Sequence, residues 1–362
     1  MYWFTIILIL PYIFLLLKIY RSLVKIQPFN ITRDPLTFVS VVVACKNEQG
    51  NLPPLLNCLD SQDYPRELYE VIIVNDNSTD RTFEVASDFS MSCKKILLTN
   101  EGKGKKQAIR TGIKTASGNL IVTTDADCLM GKRWLRTIAA FFEKEGSDMI
   151  ICPVQLDEGS GFFRRFQELE FLGLQGITAG SAFSGESTMC NGANLSFKRQ
   201  VYLDNAENLY DRIASGDDIF LLHSLKNNSK SSISWLESTE SIVTAKSSSS
   251  PGGFFKQRRR WLSKGKYYRD LFTYLLGIVT FITIFFQVVT FITGFLNPLF
   301  WWIFLAVFLL KSIPDFLILR NTSMRYGRQK LMNWFFPAQL VYPFYVMAVV
   351  VYSLIGLRNE EI

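Results

Sequence analysis

Acidic residues recur in this chain just after short apolar runs: Asp76 and Asp80 in VNDNSTD, Asp125 and Asp127 in TTDADC, and Asp217 and Asp218 in SGDDIF. Two further segments complete the set, CNGANLSFKR with Asn191 and Gly192, and QRRRW with Gln257, Arg260 and Trp261. Carboxylates hold hard divalent cations through oxygen, and a carboxylate beside a hydroxyl can take its proton. Arginine neutralises phosphate bidentately, and tryptophan offers a flat apolar face to a sugar ring. Acids that follow apolar strands, joined to a basic aromatic box beside a membrane segment, suit a nucleotide-sugar enzyme working at a bilayer.

Several chemistries are disfavoured. The single histidine, His223, would have to serve any Ser/His/Asp triad or imidazole metal site alone, and it reads instead as a helix residue after SGDDIFLL. The six cysteines at 45, 58, 93, 128, 152 and 190 form no CxxC pair, which fits a reduced cytosolic domain. A dinucleotide fingerprint would place Gly-x-Gly-x-x-Gly after the first strand, where this chain has Ala44, Cys45, Lys46, Asn47 and Glu48. The glycine-rich stretch Gly102, Lys103, Gly104, Lys105 lacks the P-loop spacing. Lys105 opens a helix, where a lysine and the backbone donors meet a phosphate or uridine; a solvated basic turn is the plainer alternative.

The elements that position these residues follow from the apolar pattern. Short β-branched runs at Phe38 to Cys45, Val71 to Val74, Ile96 to Leu98 and Leu120 to Thr124 alternate with stretches of helical spacing. That alternation predicts an α/β domain with a mainly parallel central sheet. Ligands of such sheets bind beyond the carboxyl ends of the strands, where Glu48, Asp76, Asp125 and Asp127 fall. Asn51 before Leu52 and Pro53 marks a helix start, and Ser78 or Asn77 is expected to cap a helix running through Ala86. Asp80 opens that helix and reads as a capping acid. Ser215 and Gly216 similarly suggest a cap, with Asp217 at the positive end of the helix dipole.

Apolar residues, 48% of the 362, concentrate at the two ends. Tyr2 to Leu17 carries no charge and is followed by Lys18, Arg21 and Lys25, the order of a retained anchor rather than of a cleaved leader. Spans are expected at Leu271 to Gly294, Phe295 to Lys311 and Leu331 to Leu357, with a re-entrant hairpin around Leu296, Asn297 and Pro298 as the alternative to the first two. Arg320, Arg325, Arg328 and Lys330 form a basic loop on the cytoplasmic side. The net charge of +7 owes much to Lys256, Arg258, Arg259, Arg260, Lys264, Lys266 and Arg269, placed to meet anionic lipid rather than nucleic acid. The expected division is an anchor at 1–25, a cytoplasmic domain at 26–250, an interfacial helix at 251–270 and a membrane region at 271–362. Phe162, Phe163, Arg164, Arg165 and Phe166 suggest a second interfacial segment. The plasma (inner) membrane is the expected location.

Taken in order, these motifs resemble those of the family 2 glycosyltransferases of GT-A fold, over about residues 37 to 265. The similarity is to the membrane members: cellulose, hyaluronan and poly-N-acetylglucosamine synthases and ceramide glucosyltransferase. The resemblance implies that Ala44 and Glu48 line the base and ribose pocket and that Asp76 hydrogen-bonds the nucleobase of a UDP- or GDP-type donor. It implies that Asp125 faces the nucleotide and that Asp127 binds a divalent cation, Mg2+ or Mn2+, bridging the two phosphates. Asn191 and Gly192 match an acceptor-side loop, a plain turn before a strand being the alternative. Gln257, Arg260 and Trp261 match the QxxRW box that closes over diphosphate and acceptor. The residues alone leave open which of Asp217 and Asp218 is the general base, and the family pattern assigns the second. With four spans the chain has little material for a polymer pore. An inverting transfer to a lipid-linked or glycan acceptor is therefore expected ahead of a processive synthase or a catalytically silent nucleotide-sensing subunit.

Overall fold

A computed structural model describes residues 2–206, 216–228, 231–268 and 270–360; Ser215 and Arg269 lie outside them. In chain order the helices are α1 (Tyr2–Leu23), α2 (Leu52–Asp60), α3 (Thr82–Asp88), α4 (Lys105–Thr115), α5 (Trp134–Glu145), α6 (Gly161–Phe183), α7 (Arg199–Asp204), α8 (Asp217–Lys226), α9 (Pro251–Ser263), α10 (Leu271–Gly294), α11 (Leu299–Arg325) and α12 (Phe335–Glu360). The chain divides into two compact units, one made of Ile26–Asp157 and Met189–Lys246, the other of Met1–Lys25, Glu158–Thr188 and Ser247–Ile362.

The first unit is built on strands β1 (Val39–Cys45), β2 (Tyr69–Asn75), β3 (Lys94–Thr99), β4 (Leu120–Asp125), β5 (Leu129–Met130), β6 (Met149–Ile151), β7 (Val154–Leu156), β8 (Leu195–Lys198), β9 (Ile233–Trp235) and β10 (Val243–Ala245). Its main sheet has the order β3-β2-β1-β4-β8-β6-β9. The four strands read from the sequence run parallel, with Val41 opposite Val71 on one side and Val122 on the other. The runs of β1, β2 and β4 are buried almost throughout, as strands covered on both faces are, whereas β3 at the sheet edge has no buried residue. Beyond β4 the sheet turns mixed, β8 lying antiparallel to both β4 and β6. A second sheet, β5-β10-β7, was not legible, because runs of two or three residues carry no period.

The helix starts differ in detail from expectation. α3 begins at Thr82, and neither Ser78 nor Asn77 caps it. Asn77 is left-handed at φ 53°, and the Ser78 hydroxyl accepts from the Asn47 amide at 3.0 Å. Asp80 takes the capping role, accepting from the Thr82 amide at 3.0 Å, so the short-range acid wins over the hydroxyl and amide. α2 does start after Asn51, whose side chain makes no cap and instead donates to Glu48 Oε2 at 2.6 Å.

The second unit is helical. α10, α11 and the Gln329–Ile355 stretch, which includes most of α12, are long and apolar enough to cross a membrane. α10 and α11 are separate helices with the turn at Asn297 and Pro298 between them. α11 continues past Lys311 to Arg325, so Arg320 and Arg325 are helical and not part of a loop. The chain continues because Lys311, 1% exposed, is satisfied within the helices: its Nζ donates to Asp315 Oδ2 at 2.6 Å and to Gln339 Oε1 at 3.3 Å. Tyr12 donates to the other oxygen of Asp315 at 2.6 Å. A charge paired in this way does not end a helix.

Small residues set the helix spacing. A Cβ on Gly180 of α6 would lie 2.5 Å from the Ile19 carbonyl oxygen of α1, and one on Gly176 would lie 2.3 Å from the Thr322 hydroxyl of α11. Gly180→Ala is therefore expected to cost about 1–3 kcal/mol, since the clash is with backbone that must move. Thermal unfolding in detergent checks this, and an unchanged midpoint contradicts it. Residues 158–188 thus pack as part of the helical unit, and the aromatic segment at Phe162, Phe163 and Phe166 meets Trp334, Phe254 and Tyr345 there.

Candidate active site

At the carboxyl ends of β1, β2 and β3, three loops are laced together by side chains. Asn47, left-handed at φ 56°, accepts from the Thr79 amide at 2.8 Å, and Asn77 donates to the carbonyls of Asn100 and Gly102 at 3.1 and 3.2 Å. Asparagine tolerates this conformation and bonds locally, which is why it recurs at these turns. Asp80 also accepts from the Gln49 amide at 3.2 Å, so its role is to tie loops. Hydrogen bonds from Thr82 and Gln49 hold its carboxyl below the ordinary value despite the desolvation that opposes them.

Asp76 is 4% exposed. Its carboxylate accepts from Asn100 Nδ2 at 2.7 Å and from the Gly104 amide at 2.9 and 3.1 Å. Gly104 has φ 91°, a conformation that turns its N–H onto Asp76 and that a side chain would strain. The glycine-rich stretch is thereby fastened to Asp76, and α4 starts immediately afterwards at Lys105. Asn100 was missed in the sequence; its position just after β3 was the only signal.

Lys105 is the cation around which the other acids gather. Its ammonium pairs with Asp125, the last residue of β4, which stands in register with Ala44 of β1. Desolvation opposes the charged form, but Asp125 first and then Asp217 and Asp218 raise the lysine pKa above its ordinary 10.5. Asp125, Asp217 and Asp218 therefore share one neighbourhood with Lys105. The lysine expected to meet a phosphate is, without a ligand, the counter-ion of Asp125.

Asp127 has no such partner. Its carboxylate accepts only its own amide and the weak Cys128 thiol at 3.8 Å among the described residues. Burial first, and then the charge of Asp125, hold its carboxyl above the ordinary 3.8, with Lys105 opposing. Glu48 is raised too, by burial against the Asn51 hydrogen bond, with Asp127 and Asp125 adding to the rise. Lys246, also missed in the sequence, donates to Asn51 and lowers Glu48 through its charge.

Asp218 and Asp217 open α8 after Gly216, left-handed at φ 104°. Asp218 Oδ2 accepts from the Gly192 amide at 3.1 Å and Oδ1 from the Ile219 amide at 2.8 Å. The Gly192 carbonyl in turn accepts from Thr123 Oγ1 of β4 at 2.8 Å, and Asn191 caps the same turn by accepting from the Ala193 amide at 3.0 Å. Asn191 and Gly192 form a turn before β8, and the Gly192 amide fixes the Asp218 carboxylate. His223 lies in α8, as expected.

A divalent cation fits this donor set in one way. No group of three or more His, Cys, Asp or Glu side chains placed to hold a metal ion occurs among the described residues, so those residues do not complete a coordination shell alone. An unmatched carboxylate at Asp127 beside Asp125 suits a hard cation that takes its remaining ligands from a diphosphate and water. The sign of the Asp127 shift gives a test. A carboxyl raised in the folded state costs nothing below the unfolded value near 3.8, and its penalty grows as pH rises through the folded value. Asp127→Asn is thus expected to stabilise the metal-free protein at neutral pH, the gain shrinking on acidification. Thermal melts across the acid range check it.

Gln257, Arg260 and Trp261 lie on α9 of the helical unit. Arg260 is exposed, and Gln257 and Trp261 are half-buried. Phe171 of α6 packs on Trp261 at a centroid distance of 6.4 Å.

Comparison with known proteins places this arrangement. Residues 40–205 match the family described as Glycosyl transferase family 2. Glycosyltransferase AglE of Haloferax volcanii is 34% identical over 128 residues, 35% of this chain and 42% of that protein. Poly-beta-1,6-N-acetyl-D-glucosamine synthase of Staphylococcus epidermidis is 24% identical over 261 residues, 68% of this chain and 61% of that protein. The chain thus spans about half the length of these relatives. Among solved structures, mannosyltransferase PcManGT from Pyrobaculum calidifontis, in complex with GDP-Man and Mn2+, is similar in fold, with a TM-score of 0.59 over 97% of both chains at 19% identity.

Proposed function

We propose, from the match of residues 40–205 to Glycosyl transferase family 2 and the likeness in fold to a mannosyltransferase, that the chain is an inverting membrane glycosyltransferase. It moves one sugar from a UDP- or GDP-type donor to a lipid-linked or glycan acceptor. Glu48, Ala44 and Asp76 receive the nucleoside, Asp125 faces the nucleotide, and Lys105 meets a phosphate or the uridine. Asp127 would hold a divalent cation, which would supply positive charge against the departing diphosphate. Asp218 takes the proton of the acceptor hydroxyl as that oxygen attacks the anomeric carbon opposite the nucleotide, and Asp217 keeps the local field negative. Gln257, Arg260 and Trp261 serve the diphosphate and acceptor. The protein is placed as a multi-pass component of the plasma (inner) membrane with its catalytic domain cytoplasmic, supported by the long apolar helices and by Arg325, Arg328 and Lys330 at one end of them.

The observation that most supports this reading is the ion pair of Lys105 with Asp125, with Asp217 and Asp218 acting on the same lysine and Asp127 forming no ion pair among the described residues. The similarity to a poly-N-acetylglucosamine synthase favours a second reading, processive synthesis. One experiment separates these. Detergent-purified full chain is incubated with UDP- and GDP-sugars, Mn2+ or Mg2+, and native membrane lipids, and products are read by mass spectrometry. One added sugar supports single transfer, and many support a synthase. Neither hydrolysis nor transfer with any donor overturns both readings and favours a silent nucleotide-sensing subunit.

A further inference from the structure

The motif on α9 reads Gln257, Arg258, Arg259, Arg260, Trp261, and the resemblance treats the residues at 258 and 259 as spacers. Burial does not follow that division. Arg258 is 6% exposed, whereas Arg260 faces outward. Every part of its guanidinium is used: Nε donates to Glu170 Oε1 at 2.9 Å, Nη2 pairs with Glu170 Oε2, and Nη1 donates to Gln257 Oε1 at 2.6 Å. Its two aromatic neighbours are one turn away on either side, with Cζ 4.4 Å from the Phe254 ring centre and 4.2 Å from that of Trp261. Glu170 is held in turn by the Tyr345 hydroxyl at 3.0 Å. Glu170 on α6 and Tyr345 on α12 thus fix one arginine, and that arginine touches two of the three motif residues.

We propose that Arg258, anchored by Glu170, is a positioning residue that sets the orientation of the Gln257 carboxamide and the Trp261 indole. The proposal rests on the reading that this box serves sugar transfer. A purely structural ion pair would be an alternative, but burying two charges is costly and apolar pairs of similar volume are often no less stable. What the fork supplies and an apolar pair does not is a fixed direction for the amide oxygen and a flat cation on the indole face.

The test uses full-length protein with 5-fluorotryptophan at its seven tryptophans, the residue 261 resonance being assigned by its loss in Trp261→Phe. Arg258→Lys keeps the charge but neither the bidentate fork nor the planar stack. Its expected effect is a shift of the residue 261 fluorine resonance with the other resonances in place. Transfer from UDP-GlcNAc or GDP-mannose to native membrane lipids is expected to fall in kcat on the order of 10-fold to 100-fold with donor KM unchanged. Should that variant fail to fold, Glu170→Gln, which leaves Arg258 a weaker partner, is expected to move the same resonance. An unmoved resonance 261, or a kcat unchanged while that resonance moves, overturns the proposal. If wild type turns over neither donor, it is the transfer reading that falls, and the resonance alone decides whether Arg258 orients Trp261.

Discussion

Replacing Asp218 with asparagine is expected to lower sugar transfer by about 10²–10⁴-fold, the contribution of a positioned general base, while nucleotide binding persists. Asp218 is fixed by the amides of Gly192 and Ile219, one on each carboxylate oxygen. Each oxygen keeps a second lone pair, and one of them is what an acceptor hydroxyl needs. Asparagine has the same shape but only one accepting atom, so it must turn its NH2 toward one of those amides or lose the base altogether. Asp217→Asn serves as the comparison, because Asp217 shares the field at Lys105 and its loss is expected to cost far less. Steady-state transfer kinetics for the two variants decide the matter. Turnover that survives in Asp218→Asn and disappears in Asp217→Asn moves the base to the first acid.

The second large effect is expected at Asp127. Asparagine there removes a carboxylate that forms no ion pair among the described residues, and with it the anchor for a metal that offsets leaving-group charge. A loss of several kcal/mol of transition-state stabilisation corresponds to about 10²–10³-fold or more in kcat. The same substitution is expected to stabilise the metal-free fold, as argued from the raised carboxyl. Opposite signs for stability and activity at one residue separate a functional acid from a structural one. Transfer rates measured against added Mn2+ check it, and a variant with full activity and an unchanged metal response refutes the role.

Much of the catalytic unit was legible because its strands are long, β-branched and closed by turn residues, so that the acids after β1, β2 and β4 could be placed at one sheet edge. What was not legible has physical causes. Capping residues compete at close range: Asn77, Ser78 and Asp80 all suit a helix start, and the choice is made by Asn47 and Gln49 from another loop. The clasp of Asn100 and Gly104 on Asp76 depends on a backbone turned at a glycine, which no side-chain pattern announces. Lys311 reads as the end of a span because a lone charge is expensive in an apolar segment; its i,i+4 neighbour Asp315 on α11 pairs with it, and tertiary structure adds Gln339 of α12. In the Gln-Arg-Arg-Arg-Trp run three arginines are equivalent as letters, and burial alone distinguishes Arg258.

The central claim is that Asp127 and its neighbouring acids hold a nucleoside diphosphate together with a divalent cation. Electron paramagnetic resonance of Mn2+ titrated with the purified chain tests it most directly, with UDP and GDP each added in turn. The account predicts that the free Mn2+ signal falls strongly only when one of the nucleotides is present, and that Asp127→Asn abolishes the fall. A Mn2+ signal indifferent to both nucleotides, or a fall that persists unchanged in Asp127→Asn, contradicts it.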